Sequence, residues 1–106
     1  MQLTARFDIV RGTGCRQPWF HVPARDPGRP DPGAAGWDTT TGIAPDLMLA
    51  SRDAVRGMID LLTARTGMPA IDAYLLCSVA GDLRISEIVN RPNWVVTFHL
   101  PRSILA

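Results

Sequence analysis

The chain has 106 residues, enough for one compact core and no more. Hydrophobic residues make up 46% and charged residues 20%, with a mean hydropathy of +0.05, so disorder along the whole length is excluded. Net charge is +1 and every one of the eleven basic residues is arginine, which argues against nucleic acid or an anionic membrane as partner and leaves no lysine for Schiff-base or phosphate-loop chemistry.

In chain order, Met1 to Arg6 show no charged region followed by an apolar one, and no apolar run approaches membrane length. A cytoplasmic location is therefore expected. Leu3, Ala5, Phe7 and Ile9 alternate with Gln2, Thr4, Arg6 and Asp8, and that period of two predicts a strand near 2–10. A second short strand is expected at 18–22, closed by Pro23. Residues 23 to 36 then hold four prolines and three glycines, so 23–37 is expected to be a flexible surface loop.

Pro45 suits a first helical position, and Leu47, Ala50, Ala54, Met58, Leu61 and Leu62 recur at three- and four-residue steps. This predicts an amphipathic helix over 45–66, stopped by Gly67. Pro69 opens a second helix, 69–81, whose Ile71, Ala73, Tyr74, Leu75, Leu76, Cys77, Val79 and Ala80 are apolar nearly all round. Such a helix needs cover on more than one side. Residues 85–89 are expected to add one helical turn before Pro92. Trp94, Val96, Phe98 and Leu100 alternate with Val95, Thr97 and His99, which predicts a strand over 94–100. The sum is one α+β domain spanning 1–106, with two helices packed on a small antiparallel sheet.

Few residues suggest chemistry. His21 and His99 are the sole histidines and fall on different predicted strands, so both are expected to be structural and no metal ligands are assigned. Cys15 and Cys77 match no metal spacing and are expected as free thiols, with a disulfide disfavoured in a reducing compartment. Ser51, Ser78, Ser86 and Ser103 lie in no Gly-x-Ser-x-Gly elbow, and Ser78 is expected to bond back to a helix carbonyl. Thr40, Thr41 and Gly42 are expected to join the long loop to a helix N-terminus. There they would either cap the helix or present backbone N–H groups to a carbonyl or carboxylate oxygen. Asp46 follows in the first turn. Asp82 and Arg84 are expected to pin a turn through an ion pair. Trp37, beside the loop, is a candidate contact with another chain.

Two segments also carry a family resemblance. The first runs from Thr40-Thr41-Gly42-Ile43-Ala44-Pro45-Asp46-Leu47 into the helix with Ala50, Ala54, Met58 and Ile59. The second, Ala73 to Ile104, contains a Tyr74-x-Leu76-x-Ser78 helix and an Asp82-Leu83-Arg84-Ile85-Ser86 step. It continues through Val89-x-x-Pro92-Asn93 to a final strand ending in Leu100-Pro101. From Asp38 onward the chain resembles the C-terminal region of the acetamidase/formamidase family. Thr4-Ala5-Arg6-Phe7 and Pro18-Trp19-Phe20 fit more loosely. Glu87 stands where a glutamine is common, and Gly81 where a larger residue is usual.

The resemblance implies an amide hydrolase that converts small amides to a carboxylate and ammonia. It implies that the full-length family uses a divalent metal, with the His- and acid-rich motifs N-terminal to the region matched here. This chain would then supply scaffold, oligomer contacts and one pocket wall, formed by Thr40, Thr41, Gly42 and Asp46, with no cofactor of its own. Its expected partners are a second copy or the missing N-terminal region, and a small amide if active. The alternative is a self-associating scaffold module without catalysis.

Overall fold

In the computed structural model, residues 2–12, 17–23, 35–89 and 91–105 are described. Their elements run β1 (Trp19–Val22), β2 (Trp37–Ala44), α1 (Leu47–Thr66), α2 (Ala70–Ala80), β3 (Asp82–Glu87) and β4 (Trp94–Pro101), with a closing 3-10 turn at Arg102–Leu105. The four strands form one sheet in the order β1-β2-β4-β3, every neighbouring pair antiparallel. With two helices packed against this sheet, the α+β expectation holds.

The helix bounds follow from their end chemistry. α1 begins one residue after Asp46, whose carboxylate accepts from Leu49 N–H at 2.9 Å. It ends at Gly67, in the left-handed conformation at φ 73°. Asp46 is thus the N-cap rather than a first-turn residue. α2 starts after Pro69 and buries only Ala73 and Cys77.

α1 lies across β2 and β4 on one face of the sheet, and the contact is close because its buried stripe begins with small residues: Ala50, Ala54, Met58 and Leu62. Opposite Ala50 sits Gly42. A Cβ there would come 1.8 Å from the Ala50 carbonyl oxygen, so only glycine admits the helix at this distance. Thr40, two residues earlier, donates its hydroxyl to Ala54 O at 2.7 Å. Val96, Phe98 and Leu100 of β4 complete this core. At Gly81, a Cβ would run into the Phe98 ring at 1.9 Å.

Several elements differ from the sequence expectation. Residues 2–10 form no strand: Leu3, Phe7 and Ile9 are all more than four-fifths exposed. Alternation gives a strand its two faces, but a strand also needs a neighbour to bond to, and this segment has none within the described residues. Thr40, Thr41 and Gly42 are not a loop-to-helix joint. They lie in β2, one of the sheet's two inner strands, so their backbone groups serve the ladder and not a ligand at a helix end. Asp82 and Arg84 do pair, at 2.7 Å, but on β3 and not in a turn. The helical turn expected at 85–89 is instead mostly the end of β3, where Ile85 and Leu83 alternate with Arg84 and Ser86. Of the loop expected at 23–37, residues 24–34 lie outside the described residues, as does Cys15, and Trp37 already belongs to β2.

Candidate functional site

Strand alternation divides the sheet into two chemically distinct faces. On the helix side stand Asp38, Thr40, Gly42 and Ala44 of β2 and, opposite them, Leu100, Phe98, Val96 and Trp94 of β4. On the other side, register pairs Thr39 with His99, Thr41 with Thr97, and Thr97 in turn with Arg84 of β3. This second face carries the chain's most organised polar group.

Ser86 Oγ lies 2.6 Å from Thr97 Oγ1, Thr97 Oγ1 2.8 Å from His99 Nε2, and His99 Nδ1 2.9 Å from Thr39 Oγ1. Four side chains from three strands thus form one continuous chain of hydrogen bonds. Hydrogen counting orders it. Thr39 is fully buried, and among the described residues its hydroxyl meets only the imidazole. Its O–H therefore donates to Nδ1, since the reverse would leave a buried hydroxyl hydrogen without an acceptor. Nε2–H then donates to Thr97, Thr97 to Ser86, and the exposed Ser86 hydroxyl turns its own hydrogen outward. This order requires a neutral ring. Burial lowers the His99 pKa below the ordinary 6.5, and the nearby Arg84 lowers it further, against a smaller opposing effect of Asp82. Trp37, half-buried on β2, lies edge-on to the same imidazole, ring centroids 6.5 Å apart.

The helix side carries a buried charge cluster at one end. Asp38, 2% exposed, accepts from Arg65 Nη1 at 2.8 Å and from Arg102 Nε at 3.3 Å. Arg65 also lies over the Trp19 ring at 5.1 Å. Paired on both oxygens, this carboxylate serves structure.

The residues singled out from sequence are dispersed. Thr40 and Gly42 face α1, Asp46 caps α1, and Thr41 donates to Pro18 O at 2.6 Å. Of these four, Thr41 alone shares the face of the hydroxyl–imidazole chain. Ser78 bonds to Tyr74 O at 3.0 Å, as the sequence predicted. Cys77 is a buried free thiol whose pKa is raised to about 11 by that burial, which makes it a poor nucleophile. His99 was visible on the polar side of the last predicted strand. Thr39, Thr97 and Ser86 carried no signal without the strand register that assembles them.

The described residues do not fit a divalent metal. His21 lies on β1 opposite Asp38, hence on the helix side, with Nδ1 3.0 Å from Trp37 O. His99 is on the other face with both ring nitrogens engaged. Asp38 is held by two arginines and Asp82 by Arg84. Among the described residues no three of His, Cys, Asp and Glu converge on a point.

The profile of the acetamidase/formamidase family matches residues 3–106. The chain belongs to the acetamidase/formamidase family. Among solved structures it is similar to the acetamidase of Bacillus halodurans, with 33% identity and a TM-score of 0.61 over 65% of this chain. That match covers 23% of the acetamidase, so the chain spans about a quarter of that enzyme's length. No curated protein sequence matches it. Among the described residues no helix is long and apolar enough to cross a membrane.

Proposed function

We propose that this chain is the C-terminal scaffold portion of an amide hydrolase acting on non-peptide carbon–nitrogen bonds in small amides, and that it does not turn over substrate alone. The family match over 3–106 carries this reading, together with the share of the solved acetamidase that the chain spans. The face of β2 and β4 away from the helices serves as a wall of the substrate site. Thr41, Thr97 and His99 line it, and the outward Ser86 hydroxyl offers a donor to an amide or carboxylate oxygen. Thr40, Gly42 and Asp46 shape that wall from behind by fixing α1. The divalent metal that the family resemblance implies would be held by residues outside those described here. A cytoplasmic setting is proposed as well, supported by the free buried thiol of Cys77.

Ammonia release from formamide and acetamide by the purified chain is the direct test, and no release above background is expected. Turnover by the chain alone would overturn the scaffold reading. The second reading, a scaffold module with no part in catalysis, is favoured by the exposed face of α2, where Ile71, Tyr74, Leu75 and Val79 are more than half exposed. The two are separated by titrating acetamide or acetate while following the amide resonances of Thr97 and His99. Shifts confined to β2 and β4 support the pocket wall, and an unperturbed spectrum supports the module.

A further inference from the structure

Among the described residues both edges of the sheet are open, and one extended segment has the chemistry of a strand but no strand to join. β3 forms one edge, bonded to β4 on one side only, so the backbone N–H and C=O groups of its other side face outward. Residues 2–10 alternate apolar and polar side chains and lie exposed. The two segments match in detail. Within residues 2–10, Arg6 pairs with Asp8 at 3.5 Å, and within β3, Asp82 pairs with Arg84 at 2.7 Å. Each is an arginine and an aspartate two residues apart on one face, and the order is reversed between them.

We propose that residues 5–9 of one copy of this chain add as a fifth strand to the free edge of β3 in a second copy, parallel to it, with Arg6 beside Asp82 and Asp8 beside Arg84. In that register every charge meets its opposite across the strands and along them. Phe7 comes beside Leu83 and Ile9 beside Ile85, covering two apolar side chains that are about half exposed, at 47% and 54%. The antiparallel alignment of the same residues would set Arg6 beside Arg84 and Asp8 beside Asp82, like against like. The other edge, β1, has four residues, Trp19-Phe20-His21-Val22, and no arginine or aspartate to answer either charge. A second copy is the fitting donor because the chain runs from residues 2–10 into β1, at the far edge of the sheet from β3. Reciprocal exchange between two copies then satisfies the β3 edge of each at once and closes with two-fold symmetry.

The test mixes two singly substituted copies, Arg6→Cys and Asp82→Cys, each carrying Cys15→Ser and Cys77→Ala, under mild oxidation. Neighbouring strands bring Cα atoms within disulfide range. A cross-linked heterodimer is expected from this pair and not from Arg6→Cys mixed with Arg84→Cys. Preferential linkage of the second pair would overturn the parallel register. Linkage of 6 to 82 within one doubly substituted copy, at dilutions where mixed copies fail to link, would overturn the second copy as donor. Sedimentation of the unmodified chain supplies an independent arm, with a dimer expected at micromolar concentration and a monomer overturning the proposal. Phe7→Glu, at a site outside the core, is expected to weaken association by at least about tenfold. Its circular dichroism should match the parent, which separates lost association from lost folding.

Discussion

The two faces of the sheet use the same strands for opposite ends. Against α1, β2 presents Thr40, Gly42 and Ala44, and every one is spent on proximity: a glycine where a methyl group would collide, a threonine whose hydroxyl reaches the helix backbone. On the reverse, the same strand presents Thr39 and Thr41, and their hydroxyls reach an imidazole and a carbonyl of the neighbouring segment. The helix face is held by shape, which fails when volume changes. The open face is held by hydrogen-bond order, which fails when a proton is added or a donor is lost. A run of three threonines thus serves both purposes in alternation, and single substitutions can address one face at a time.

The largest expected effect is on the helix face. Gly42→Val places atoms inside the Ala50 carbonyl, and a backbone obstacle cannot rotate away, so a loss of more than about 3 kcal/mol is expected. Urea unfolding monitored by tryptophan fluorescence measures it. Met58→Ala removes a fully buried side chain from the same interface and is expected to lose about 3 kcal/mol in the same assay. If Met58→Ala were neutral, the shape account of this face would fail. Thr40→Val keeps the volume and deletes the bond to Ala54 O, with an expected loss of about 1 kcal/mol. That value against the first two separates volume from hydrogen bonding on one face.

The smallest effect sharpens the open face. The folded-state pKa of His99 is depressed below 6.5, so the unfolded chain binds the extra proton more readily. Stability from this group is then complete above the ordinary imidazole range and is lost as pH falls from about 6.5 toward the folded value. Thermal melts between pH 8 and 5 should show this decline, and His99→Gln should flatten it. An unchanged decline in that variant would place the titration elsewhere. Nitrogen-15 spectra of the imidazole at pH 8 should show the proton on Nε2, and a proton on Nδ1 would reverse the order of the hydroxyl chain.

What could be read from the sequence follows from how local each signal is. Both helices and β4 were legible because their periodicities lie within a single segment. β2 was not. Its Thr39-Thr40-Thr41 run has β-branched preference, but aspartate before it and glycine after it resemble a loop, and only the neighbours on both sides make it an inner strand. β3 alternates Leu83 and Ile85 with charged and hydroxyl residues, yet the preceding apolar helix and the following Pro92 suggested a helical remnant instead. The site was less legible than the fold for the same reason. Thr39 and His99, the extremes of the chain of Ser86, Thr97, His99 and Thr39, lie 60 residues apart, and no local pattern encodes the register that joins them.

Asp38 has a consequence for how the molecule comes apart. Its carboxylate ties the last turn of α1, through Arg65, to the first residue after β4, through Arg102, while the Arg102 amide donates to Gly36 O at 3.0 Å. The tail of a small domain ordinarily frays first. Here, peeling the 3-10 turn away strips one partner from a carboxylate shut off from water and loosens the entry to β2 in the same motion. Amide exchange at Arg102 should accordingly be as slow as at the middle of β2, making the final turn a clasp that opens only when the whole sheet does.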